Sequence, residues 1–247
     1  MRGLGTIINV AAVVAGSMVG MLIRTGLKQR FQDILIQACG LATMFIGIAG
    51  TLAGLLKVVD GGVETQNTML LVFSLVIGGL LGECIDIELR LDHLGIRLQH
   101  LAKADNNSMF VEGFVTASLV ICVGAMAIVG SIQDGLTGDY SMLCAKAVLD
   151  MVIVMVFAST MGIGVLFSAL PLGIYQGLIT LCAVLIAPFL SEGLIQNMSF
   201  VGSALIFCVG YNLIFGKKIK VGNLLPAILI PVFWKILQTV VGIARKV

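Results

Sequence analysis

Apolar and polar positions fall in long blocks along this chain. Eight runs of about 18–25 mostly apolar residues, separated by short polar breaks, fill nearly its whole length. An α-helix rises about 1.5 Å per residue and needs roughly 20 apolar residues to cross a hydrocarbon core of about 30 Å, so each run predicts a transmembrane helix. The predicted spans cover residues 3–23, 34–56, 69–81, 110–131, 141–170, 173–190, 198–215 and 223–243. Pro171 marks the end of the fifth, Pro188 lies close to the exit of the sixth, and Pro226 and Pro231 break helical bonding in the eighth. QDGLTGDY at 133–140 reads as a turn-forming loop. The expected fold is an all-α polytopic transmembrane bundle of about eight spans, forming one integral membrane domain over residues 1–247. The alternative is seven spans with a half-embedded, re-entrant sixth or eighth segment.

Composition removes other classes. With 59% hydrophobic and 11% charged residues and a mean hydropathy of +1.10, there is no soluble module longer than a loop. The formal charge of +2 is spread in threes beside span ends, not in one stripe with aromatics, which argues against nucleic acid as a partner. Cys39, Cys84, Cys122, Cys144, Cys182 and Cys208 lie in or beside apolar runs without a CxxC pair, and read as small, buried, reduced residues. The first run lacks a small-residue cleavage site and is expected to be retained. No G-x-x-x-x-G-K-[ST], HExxH, GxSxG or GxGxxG pattern occurs, so neither a cofactor nor an enzymatic role is expected.

Orientation follows from the lysines and arginines, which are retained on the cytoplasmic side. Arg24, Lys28 and Arg30, then Arg90, Arg97 and Lys103, then Lys217, Lys218 and Lys220 fall on one side if eight spans alternate. The opposite connections hold Lys57 against Asp60, Glu64, Asp134, Asp139 and Glu192, so both termini are expected to face outward, against the weaker pull of Arg2, Arg245 and Lys246. Residues 83–107 place Ile87, Leu91, Leu94, Leu98 and Leu101 at helical spacing and predict an amphipathic helix in the cytoplasmic interface. His93 and His100 there lack a third ligand at metal-binding spacing, so no metal site is expected.

FVTASLVICVG at 114–124 matches FVGSALIFCVG at 200–210, and the glycine spacing of GTIINVAAVVAG at 5–16 falls in the same frame. Spans one, four and seven are either inverted repeats, as in many secondary transporters, or helices alike through small-residue content. GSMVG at 16–20 and GGLLG at 78–82 are GxxxG patterns that mark helix-packing seams.

The chemistry-bearing positions are the polar residues inside spans. Lys146 and Asp150 are four apart on the fifth span and share one face; an ionisable group at a helix centre costs at least about 2.5–3.5 kcal/mol, so the pair either lines a solute or ion route or anchors the helix near its outer boundary. Glu112, Thr116, Ser118, Gln133, Asp134, Asp139, Ser159, Thr160 and Gln176 raise the polar density of the same half of the chain, although a span hydroxyl commonly bonds its own helix's carbonyl. Asn9, Asn212 and Lys235 add polar points on spans one, seven and eight, with Lys235 nearest mid-span.

TASLVICVGAMAIVGSIQDGLTGDY, AKAVLD and FASTMGIGVLFSALPLGIYQG, together with GTIIN, GGLLGE and KIKVGNLLPA, resemble the YqgA/YdfK-like family of uncharacterised bacterial inner-membrane proteins over the entire chain. The resemblance implies a polytopic membrane protein, presumed a transporter, in the bacterial inner membrane. Met151 stands where the family pattern favours a small residue after the aspartate, which argues against close backbone approach there. The leading expectation is a secondary transporter or permease for a small solute or ion, in contact with the lipid bilayer and open to homo-oligomerisation. The alternative is a non-transporting membrane scaffold or partner subunit; a third class, an intramembrane enzyme, has only isolated acids in its favour.

Overall fold

A computed structural model of the protein describes residues 2–24, 28–59, 61–104, 109–123, 125–189 and 191–235. The helices are α1 (Leu4–Arg24), α2 (Gln29–Leu55), α3 (Thr68–Ile85), α4 (Ile87–Leu101), α5 (Phe110–Cys122), α6 (Ala125–Thr137), α7 (Ser141–Met161), α8 (Ala169–Leu181), α9 (Ala183–Ile186), α10 (Glu192–Phe215) and α11 (Val221–Leu224). Gly162–Ser168 and Leu225–Leu229 are 3-10 turns, and a short hairpin of β1 (Leu56–Val59) and β2 (Gly62–Thr65) pairs Lys57 with Glu64 between α2 and α3. The hairpin is the one departure from an all-α chain among the described residues.

Five helical stretches are long and apolar enough to cross a bilayer: α1, α2, α3, the run 141–181, and α10; α5 and α6, bent by 63°, make a sixth if counted as one. Eight full-length spans are not what the helices give, because the later ones are broken. The fifth expected span ends at Gly162, which adopts φ +81°, a conformation costly for other residues, and not at Pro171. Pro171 instead sits in the first turn of α8, where its missing N–H has no helical partner to lose. The expected loop at 133–140 is helical through Thr137. The eighth expected span is described only to Lys235, as the short apolar helical run Val221–Lys235.

Glycines set the helix pairing. An added Cβ on Gly16 would meet Met151 O at 2.4 Å, and one on Gly20 would meet Met155 O at 2.2 Å, so α1 and α7 lie backbone to backbone and run parallel. The close approach includes Met151, contrary to expectation, because the small residue is supplied by Gly16 of the facing helix. Gly40, Gly47, Gly50 and Gly54 of α2 meet Ile214, Phe207, Ser203 and Phe200 of α10 in descending order, an antiparallel pair. Gly78 faces Ala227 and Gly82 faces Asn223 O, seating α3 on 221–229.

These contacts orient the rest. Gly113 packs on Met161 and Val165, and Lys146 reaches Ile121 O, so α5 runs against α7; Gly202 meets Val123, so α10 begins at the end where α7 begins. Asp139 and Glu192 thus lie at one end, with Thr180, which bonds Thr6 of α1. Arg24, Arg90 and Lys217–Lys220 lie at the other. Apolar side chains such as Ile7, Leu22, Phe45, Leu80, Val148 and Leu178 are exposed, as a lipid-facing surface requires. On α4, Leu94 and Leu101 of the predicted stripe are exposed while Glu88 and Gly95 face the protein.

Asp134 is not a loop residue facing outward. It lies on α6 with no exposure and accepts from Gly3 N and Gly5 N at 3.0 Å each, satisfying free N–H groups at the start of α1 and complementing its dipole. All six cysteines are free; Cys84 is exposed and the others are half-buried, more open than expected.

Gly20→Ala should destabilise the fold by about 1–3 kcal/mol, since the backbone of Met155 cannot yield cheaply; Gly193→Ala, with open space around it, should change stability little, both read by thermal unfolding in detergent. In a cysteine-free background, single cysteines at the exposed positions 139 and 192 should be labelled by an impermeant reagent outside intact cells, and those at 90 and 218 spared.

Candidate functional site

The middle of the bundle carries a buried ion pair. Lys146 and Asp150, one turn apart on α7, pair at 2.5 Å with side-chain exposures of 8% and 4%. Lys146 also donates to Ile121 O at 2.8 Å. That carbonyl is in the last turn of α5, where the α5–α6 break leaves helical acceptors free and the negative end of the dipole faces the ammonium. From α1, Asn9 Nδ2 donates to Asp150 Oδ2 at 3.0 Å and to Gln176 Oε1 of α8 at 3.2 Å. Four expected site residues, Asn9, Lys146, Asp150 and Gln176, therefore form one cluster from three helices. The pair is not an anchor that snorkels to the boundary: Lys146 points into the bundle.

Asp150 and Lys146 border a cavity of about 560 Å³ between α2, α5, α7 and α10, otherwise lined mainly by apolar groups such as Ile46, Val120, Ile153 and Phe157, with Thr43 and Ser199 adding hydroxyls. Its rim residues Leu149, Val152 and Ile46 are exposed at mid-helix, so it opens toward lipid as well as inward.

Glu112, Thr116 and Asn212 belong to a second cavity, about 470 Å³, at the basic end, with Glu88, Asp92 and Lys217. Lys217 bridges Glu88 at 2.8 Å and Asp92 at 2.9 Å. Burial draws its ammonium down, but the bonds to Asp92 and Glu88 and their charge outweigh this and hold it above the usual lysine value. Glu88 was read from sequence only as part of a surface helix, yet it is 8% exposed and also accepts from Gly222 N at 2.6 Å. Asn212 is mainly a clasp: it donates to Ile219 O and accepts from Lys218 N and Ile219 N, closing the turn after α10.

Lys235 is not near mid-span. It donates to Ser191 Oγ at the acidic end, far along the chain from the central cluster. Ser118, Ser159 and Thr160 bond carbonyls of their own helices, as span hydroxyls commonly do. Thr6 and Thr180, whose hydroxyls are 3.3 Å apart, were missed because nothing local links residues 174 apart.

A family model described as a protein of unknown function, DUF554, matches residues 4–236. The chain belongs to the DUF554 family. Relatives of this DUF554 protein include the Bacillus subtilis (strain 168) uncharacterized membrane protein YdfK, 37% identical over 227 residues, covering 92% of this chain and 93% of the relative. The Escherichia coli (strain K12) uncharacterized protein YqgA is 30% identical over 231 residues, covering 92% and 94%. No solved structure matches. The YqgA/YdfK resemblance thus holds, and the DUF554 chain is a multi-pass membrane protein.

Because Lys217 is raised by its acids, the stability it lends is present below the ordinary lysine value and is lost as pH rises through the higher folded one. Glu88→Gln should lower the Lys217 titration toward the ordinary lysine value, measured by NMR of labelled lysine.

Proposed function

We propose that this protein is a secondary transporter or permease for a small solute or ion in the bacterial inner membrane, without catalytic chemistry. The observation that carries the reading is the Lys146–Asp150 pair, nearly fully buried yet bordering a cavity of about 560 Å³. A purely structural pair in a membrane bundle is costly to keep, since apolar residues of similar volume serve packing as well or better.

Architecture supports this. Among the described residues, α5–α6 is bent by 63°, the run 141–181 is broken at Gly162 and 221–235 is a short helical run, beside the unbroken α1, α2, α3 and α10. Discontinuous helices around a mid-membrane polar site are the usual construction of alternating-access carriers. The α1, α5 and α10 directions alternate, as copies in inverted repeats require. The second cavity, with Glu88, Asp92 and Glu112, gives the cytoplasmic end a cation-attracting mouth.

The scaffold reading draws less support. Gly16, Gly20, Gly78 and Gly82 are consumed by contacts inside the subunit, which leaves those seams closed to a partner helix.

The test is uptake in proteoliposomes across ions, amino acids and organic acids. Asp150→Asn should insert normally and abolish uptake or change its pH dependence. Lys146→Met alone should cost about 3–5 kcal/mol of stability, and Lys146→Met with Asp150→Leu should recover most of it while remaining inactive. Normal transport by the double variant would overturn the assignment.

A further inference from the structure

Polar side chains lead from Asp150 toward the membrane end where α1 begins. One turn before Asn9 on α1 is Thr6, and one turn after Gln176 on α8 is Thr180, their hydroxyls 3.3 Å apart. Both threonines line a cavity of about 410 Å³ with Arg2, Gly135 and Val184 at that end. Asp150 and Lys146 line the 560 Å³ cavity on the other side. The threonine pair and the Asn9–Gln176–Asp150 cluster therefore stand in series between two cavities.

Two atoms inside this series have no hydrogen-bond partner among the described residues: the acceptor Asn9 Oδ1 and the donor Gln176 Nε2. Both residues have zero exposure, and they are joined to each other at 3.2 Å. Among the described residues, the hydrogen bonds to Asp150, from Asn9 and from Lys146, both fall on Oδ2. An unpaired buried donor beside an unpaired buried acceptor calls for a molecule that both accepts and donates, and water is the smallest.

We propose that Asn9 and Gln176 hold a water molecule that relays protons between the Thr6–Thr180 hydroxyls and Asp150, making Lys146–Asp150 a proton-exchange site. In loading, an O–H bond of the water breaks as an O–H bond forms on the Asp150 carboxylate. The water regains a proton from the hydroxyl side, which is replenished from solvent in the end cavity. One proton enters; Asp150 becomes neutral while Lys146 keeps its charge, so the pair passes from net zero to +1, and the reverse sequence discharges it. The other groups around the pair are Cys122 on α5, Tyr175 on α8 beside Cys122, Cys39 on the α2 wall of the cavity, and Asp134 of α6 at the head of α1. None of them stands between Thr180 and Asp150 in the hydrogen-bonded series.

This deepens the transport reading, on which its purpose rests, by naming the proton as the exchanged ion, but it is tested without a solute. Acid-minus-neutral infrared difference spectra of the protein in lipid should show a carboxylic-acid C=O band that is absent in Asp150→Asn and retained in Cys122→Ser and Tyr175→Phe. After transfer to D₂O, the deuterium shift of that band should slow at least tenfold in Gln176→Met or in the near-isosteric Thr180→Val. Absence of an Asp150-dependent band, or wild-type exchange rates in both variants, would overturn the proposal. Protonation of Asp150 with no solute uptake would defeat the transport reading alone; uptake with an Asp150 that never protonates would defeat this one alone.

Discussion

An ammonium and a carboxylate survive in the middle of a membrane protein only if each finds its partners inside the protein, and the arrangement around Lys146 and Asp150 follows from that constraint. Asp150 takes Lys146 from its own helix and Asn9 from α1; Lys146 takes the Ile121 carbonyl. For Asn9 to reach Asp150, α1 and α7 must lie backbone to backbone, which Gly16 and Gly20 permit. For Ile121 to offer a carbonyl, α5 must end there, which the bend between α5 and α6 supplies. The glycine seam and the broken helix therefore serve one electrostatic requirement. Asp134 serves a related one, since its two bonds to Gly3 N and Gly5 N hold the head of α1 and so the height at which Asn9 sits.

The two ends of the molecule are built differently. At the basic end, acids and lysines pair across short distances: Lys217 with Glu88 and Asp92, and Lys220 with Glu83 at 2.5 Å. Exposed pairs of this kind add little stability, but they hold the turn after α10 against α4 and set the mouth of the second cavity. At the acidic end Asp139 and Glu192 are exposed, while Asp134 is buried against the head of α1 and Gly135 packs tightly on Thr180 O. Exposed charge lies at both ends, and at the centre one ion pair is buried among a few polar partners.

Membrane class, α1 to α3, and the pairing of Lys146 with Asp150 were legible in the sequence, because long apolar runs and i,i+4 spacing are local signals. Family membership was legible in the longer strings. The later span boundaries were not: Pro171 looked like a terminator but is harmless in a first turn, whereas Gly162, one glycine among many, makes the break. Asn9 and Gln176 were recognisable as polar residues in apolar spans, but their meeting at Asp150 depends on tertiary packing between residues 141 and 167 apart in sequence. Glu88 and Asp134 were misplaced for the same reason: a carboxylate that caps another segment's backbone looks, in sequence, like any surface acid. Lys235 was misplaced because the expected span ran over 223–243, whereas tertiary packing sets Lys235 against Ser191 at the start of α10.

The proposed proton relay requires the Lys146–Asp150 centre to be a hydrated exchange site and not a dry structural lock. Solid-state NMR of the protein in lipid bilayers, with polarisation transferred from mobile water to side-chain carboxyls, reads this directly. Rapid transfer to the Asp150 carboxyl is expected, comparable with that to Glu88 at the second cavity. An Asp150 signal that receives no water magnetisation while Glu88 does would contradict it.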